Sequence, residues 1–283
     1  MSETEHILAI HKILVALDAS PHGRAALEAA VELARRFQAQ LEGLYVEDEN
    51  LLRAAELPFL QEIGLLTASS RQVAGEAMQR QIRGQSRTVR RLFSGTSQRA
   101  HVHTEFHIVR GQVLPQVLSA AAGADMLVLG RIGGSMARRG KLGSTVRGIL
   151  PEPFGMALIV QAGARPHRPL AVLYDGSPQA ERALAAANML NGQETPGQLL
   201  LVLLAPNQDG AAEMRRHILA SYEGSVLPLR FSWLPAANPL QLAAILLAER
   251  TGTLVLPAHV AGLPAKTVVS FLEQLELPIL LVT

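Results

Sequence analysis

The feature that most constrains this chain is that one of its segments occurs twice. Residues 12–33 read KILVALDASPHGRAALEAAVEL, and residues 169–190 read PLAVLYDGSPQAERALAAANML. Each has an apolar run of the kind a buried parallel strand requires, then Asp-x-Ser-Pro, then alanines and leucines at helical spacing. Serine before proline signals a helix start: the hydroxyl caps a free N–H, and proline suits the first helical position. Asp18 answers to Asp175, and Ala26, Leu27, Ala29, Ala30 and Leu33 answer to Ala183, Leu184, Ala186, Ala187 and Leu190. Further on, Leu127-Val128-Leu129 returns as Leu254-Val255-Leu256, and Ala157–Val160 returns as Ile279–Val282. The pattern predicts an internal duplication. Its boundary falls where Gly, Pro and charge cluster between Gly163 and Arg168.

Strands alternating with helices in each half predict two tandem α/β domains, each a doubly wound, parallel, five-stranded sheet. They span residues 1–163 and 168–283. Equivalent residues lie 157 apart at Asp18 and 127 apart at Leu129 (175 − 18 and 256 − 129), so the first half holds an insertion, at about 50–98, that the second lacks. In it Arg80, Arg83, Arg87, Arg90 and Arg91 interleave with Ile82, Val89 and Leu92, predicting an amphipathic helix with a solvated basic face. Leu51 to Leu66, ahead of that helix, reads equally as a lid, a dimer contact or added core.

Ligands of open parallel sheets bind beyond the carboxyl ends of strands, where Asp18, Val46 and Gly130 are expected. After the run Met126–Leu129 come Gly130, Gly133 and Gly134, then Arg138, Arg139 and Lys141 with no acid, then Gly143, Ser144 and Thr145. Val146, Ile149 and Leu150 resume a helical rhythm. Strand, glycine-rich basic loop and helix start form a phosphate cradle: glycine lets the backbone approach the anion, and the helix start offers free N–H groups. A Walker loop is excluded because Gly140-Lys141 is followed by Leu142. A dinucleotide fingerprint fails on spacing. Gly130, Gly133, Gly143 and Ser144 instead spell G-x2-G-x9-G-[ST]. In the second half those positions are Pro257, Val260, Ala265 and Lys266, which cannot make the same cradle.

This motif resembles the ATP-binding motif of the universal stress protein family, and with the repeat the whole chain resembles a tandem member of it. The resemblance implies ATP, or a related adenine nucleotide, held by the first half as a switch or sensor in the stress response. Ala16 and Asp18 would flank base and ribose, and Val46 would meet adenine through its backbone. Leu129, Gly130, Arg131 and Gly133 would wrap ribose and phosphates, with Gly143, Ser144 and Thr145 closing on the phosphate tail. Any Mg²⁺ would ride on the phosphates. The halves would pair through their last strands as an intramolecular pseudo-dimer, and a further homodimer stays open. Two other functions remain in play, a nucleotide-free regulatory scaffold and a slow ATPase or autokinase; no residue is committed to catalysis.

Composition narrows the setting. No apolar run reaches the length of a membrane span, and the polar start MSETEHILAIHK is no secretion signal. The absence of cysteine excludes disulfides and thiol chemistry and suits a cytoplasmic protein. A formal charge of +2 gives no ground for nucleic acid as a partner. His101, His103 and His107 share parity on a predicted strand, but surface histidines are the expectation rather than a metal site.

Overall fold

The computed structural model describes residues 9–55, 61–63, 70–72, 75–133, 142–152, 154–192, 197–222, 227–258 and 265–283. In the first half the elements are β1 (Lys12–Leu17), α1 (Pro21–Phe37), β2 (Gln40–Asp48), α2 (Glu49–Ala55), β3 (Gln61–Ile63), β4 (Ser70–Gln72), α3 (Gly75–Ala100), β5 (Thr104–Gly111), α4 (Val113–Ala121), β6 (Met126–Gly130), α5 (Ser144–Ile149) and β7 (Met156–Val160). The second half contributes β8 (Leu170–Tyr174), α6 (Pro178–Asn191), β9 (Leu199–Leu204), α7 (Gln208–Ser221), β10 (Leu229–Leu234), α8 (Pro239–Ala248), β11 (Thr253–Pro257), α9 (Ala265–Gln274) and β12 (Ile279–Val282).

The two duplicated segments fold alike for a local reason. Ser20 Oγ accepts from Gly23 N at 3.0 Å and caps α1, and Ser177 Oγ accepts from Ala180 N at 3.1 Å and caps α6. Before each cap the aspartate accepts from the serine N–H, Asp18 Oδ1 at 3.0 Å and Asp175 Oδ1 at 3.0 Å. This Asx turn bends the chain from strand into helix at both places.

The strands form a ten-stranded sheet in the order β10-β9-β8-β11-β12-β7-β6-β1-β2-β5. Either side of its centre the order is the same, and the pairings on each side are parallel. The resemblance implies that the halves pair through their last strands, and that pairing joins the two five-stranded sheets into one. β7 and β12 run antiparallel, with Met156 opposite Val282 and Ile159 opposite Ile279. Two parallel edges would otherwise each expose a row of unpaired backbone groups. Joining them closes both.

Both faces of the sheet are covered, so its central strands are apolar on both sides. Ile13 and Val15 point into one core, with Ala26 and Ala30 of α1, Phe93 of α3 and Ala183 of α6. Leu14 and Leu129 point into the other, with Val146, Leu246 and Phe271. The small side chains on α1 and α6 let both helices lie close on the sheet.

The inserted helix, α3, is amphipathic as expected: its Ile82, Val89 and Phe93 are buried while Arg80, Arg83, Arg87, Arg90 and Arg91 are exposed. Of Leu51–Leu66, residues 56–60 and 64–66 lie outside the described residues, and the rest falls in α2 and β3. His101 departs from the strand-face expectation. It sits in the turn after α3 at φ 57°, ahead of β5, so parity with His107 is broken. His107 Nε2 instead lies 3.2 Å from Glu42 Oε1, and among the described residues no cluster of metal-ligating side chains forms.

Leu281 is fully buried at the junction strand, in the core shared by both halves. Leu281→Ala should lower unfolding free energy by about 2–5 kcal/mol, measured from the urea midpoint at unchanged slope.

Candidate functional site

Three strand ends meet beside the start of α1. β1 hands over to Asp18, β6 ends at Gly130, and β2 lies on the far side of β1 with Val46 near its end. Ala16 and Val46 are partly exposed there. Ser20 Oγ donates to Asp18 Oδ1 at 2.5 Å, so one carboxylate oxygen is engaged by the turn. The other, Oδ2, faces the glycine loop: a methyl group placed on Gly133 would stand 3.2 Å from it.

Each glycine of the motif has its own reason. At Gly130 a side chain would collide with the backbone of α1, its Cβ falling 2.8 Å from His22 C and 2.9 Å from Gly23 N. Gly130 therefore serves helix-to-sheet packing, whatever binds above it. Gly143 closes the loop: its N–H donates to Arg131 O at 2.9 Å, and a Cβ there would sit 3.3 Å from that oxygen. The base of the loop is thus pinched shut between residues 131 and 143. Gly134, Arg138, Arg139 and Lys141 fall outside the described residues. Beyond Gly143, exposed Ser144 and partly exposed Thr145 begin α5.

Two expected site residues are placed differently. Leu129 is 3% exposed and its side chain belongs to the core, so only its backbone reaches the strand end. Arg131 is 8% exposed and its guanidinium reaches the second half. Nη1 donates to Gln161 Oε1 at 2.7 Å and to Leu275 O at 2.9 Å, and Nη2 donates to Glu273 O at 2.7 Å. These carbonyls lie at the end of α9, where helical carbonyls lack internal partners and a cation suits the dipole. Arg147 of α5 adds an ion pair with Glu273, at 2.8 Å. The sequence marks Arg131 as a loop residue. Its side chain is a clasp between halves.

His22, which no sequence signal singles out within the helix start, also bridges the region. Ala162 N donates to His22 Nδ1 at 3.0 Å, which requires that nitrogen to be unprotonated. Burial, and then the Arg131 charge, hold the His22 pKa below its ordinary value of 6.5, against an opposing pull from Asp18. A depressed pKa for a base means the unfolded chain takes up its proton first as pH falls. The stability this contributes is present above about pH 6.5 and is lost as pH falls through the folded value. Between about pH 7 and pH 5, urea midpoints should fall more steeply for the native chain than for His22→Gln, which cannot titrate.

The model of the universal stress protein family matches residues 9–159. A universal stress protein from Archaeoglobus fulgidus DSM 4304 superposes with a TM-score of 0.71 at 17% identity, covering 96% of this chain and 98% of that one. A functionally unknown protein from Pseudomonas aeruginosa PAO1 superposes with a TM-score of 0.56 at 15% identity, covering 98% of this chain and 93% of the other. At these identities the structural likeness speaks for the fold alone. No curated protein is a significant sequence match. With the family model spanning more than half of its length, the chain belongs to the universal stress protein family.

Proposed function

We propose that the chain is a tandem pair of universal stress domains that binds ATP in its first half and uses occupancy as a switch. The observation that carries this reading is the pinched loop: Gly143 N bonded to Arg131 O, with Gly133 and the Asp18 carboxylate alongside, at the carboxyl ends of β1 and β6. A loop closed at its base and filled with glycine and basic residues suits a polyphosphate. Asp18 would accept from ribose hydroxyls, and the backbone near Val46 would meet the base. A divalent cation would be held by the phosphate oxygens and water, since the described residues offer no ready ligand cluster of their own.

The reading of the second half as degenerate rests on Pro257, which stands where the first half has Gly130 and has no N–H to offer. Isothermal titration of the nucleotide-free full-length chain should give ATP at about one per chain. Mass spectrometry of ligand released from the purified protein should identify the adenine nucleotide. Gly133→Val should remove ATP binding while leaving the thermal midpoint in place, because among the described residues the near neighbour of that Cβ is a carboxylate oxygen at 3.2 Å. Gly130 is unsuited to this test, being needed for packing. Two ATP per chain would overturn the degenerate second half, and no ATP at all would leave the chain a nucleotide-free scaffold.

The switch reading rests on Arg131. The same residue carries the loop's closing carbonyl and clasps the end of α9. ATP binding should slow amide exchange in residues 270–278, and Arg131→Met should abolish that slowing.

A further inference from the structure

The inserted helix α3 carries charge that the nucleotide reading leaves unused. From residue 77 to residue 104 the chain has six arginines and no acid, and the near-neutral charge of the whole chain hides this because its acids lie elsewhere. Arg83, Arg87, Arg90 and Arg91 stand at i, i+4, i+7 and i+8, which puts them on one side of a helix over about 12 Å of its length. All four are exposed, while the opposite side of α3 is spent on the core through Ile82, Val89 and Phe93. Arg90 lies over the Phe106 ring, its Cζ 5.5 Å from the centroid, so the stripe flanks β5, the last strand of the sheet. Among the described residues none of the four is in an ion pair. Acids on the adjoining strands are engaged elsewhere: Glu42 pairs with Lys12 and lies 3.2 Å from His107, Glu47 pairs with Arg110 at 3.3 Å, and Glu105 lies 3.5 Å from His107.

For the folded chain alone such a stripe is unfavourable. Arg83 with Arg87, and Arg87 with Arg91, are like charges one turn apart, which destabilise a helix. No acid three or four residues away offsets them. A row of guanidiniums finds its complement in a row of phosphates, since the arginine fork takes two phosphate oxygens at once, and α3 has arginine without lysine. Duplex DNA presents such a row, one negative charge per about 1.7 Å of its axis. A single strand fits less well, because it is held by bases stacking on exposed rings, and here Phe93 is buried and Phe106 lies under Arg90. A lipid surface also fits less well, because the apolar side of α3 is packed in the core and has nothing to insert.

We propose that the stripe of Arg83, Arg87, Arg90 and Arg91 docks this protein on the phosphate backbone of double-stranded DNA, without reading base sequence. It shares no residue with the glycine loop, so it stands apart from the nucleotide reading.

Fluorescence anisotropy of a labelled duplex of about 20 base pairs, titrated with the full-length chain between about 50 and 200 mM salt, tests it. Four phosphate contacts give a slope of about −3.6 for log K against log salt, a loss of about 150-fold over that range. Duplexes of unrelated sequence should bind equally, since phosphate contacts carry no base information. Replacing all four arginines by glutamine should bring the slope to about zero and weaken binding at the lower salt by about 30-fold or more. Its thermal midpoint should not fall, because the change relieves like-charge repulsion. Arg87→Gln alone should reduce the slope by about 0.9, and lysine at all four positions should keep it. The proposal is overturned by a native slope shallower than about −1, by a four-glutamine variant that binds as the native chain does, or by equal affinity for polyglutamate or for phosphatidylserine vesicles at the same salt.

Discussion

The antiparallel pairing of β7 with β12 is the interaction on which the architecture depends. Each half is a parallel sheet ending in an apolar strand buried along its whole length, Met156–Val160 in one and Ile279–Val282 in the other. Alone, each would present an edge with its backbone unpaired and its side chains in need of cover on both faces. Pairing them supplies backbone partners and continues both cores across the junction: Leu158 and Leu280 lie in one core, Ala157 and Leu281 in the other. Because the strands meet head to tail, the two halves turn their ligand-facing ends in opposite directions. The first-half loop and the carboxyl strand ends of the second half therefore lie at opposite edges of the fused sheet, and any influence of one on the other has to pass through the body of the protein.

Arg131 is placed to carry such an influence. Burying a guanidinium is costly unless its donors are satisfied, and here three of its contacts are to acceptors in the junction and in the end of α9. The same residue's carbonyl closes the glycine loop. One residue thus touches both places, the base of the loop through its carbonyl and the end of the far helix through its guanidinium.

Much of the fold is legible in the sequence because its signals are local and occur twice. Asp18 with Ser20 and Asp175 with Ser177 make the same turn and cap from the same residue types, and the alanine stripes mark the helix faces that meet the sheet. The glycine loop is likewise legible from spacing. What escapes the sequence is set by distant partners. Gly130 looks like a phosphate-loop glycine, yet its immediate constraint is the backbone of α1. Arg131 looks like a cation for an anion, yet two of its acceptors, Leu275 O and Glu273 O, lie more than a hundred residues away. His101 fits a strand by parity until the turn after α3 takes a left-handed residue.

The asymmetry between halves is most informative at the position of Arg131 itself. Its counterpart is Ala258, and the backbone there behaves identically: Arg131 N donates to Val160 O at 2.8 Å, and Ala258 N donates to Val282 O at 2.7 Å. Both residues are buried. The sheet therefore needs only the N–H at this place, and a small side chain meets that need. A long, charged side chain adds desolvation cost without improving the sheet, so its presence in the first half calls for a reason beyond folding. The clasp on α9 is such a reason, and it is one-sided, since alanine at 258 can make no reciprocal clasp on the first half. Coupling built this way still obeys thermodynamic reciprocity between the two ends. Its structural origin, however, lies in a single side chain that leaves the loop of one half and ends in the other.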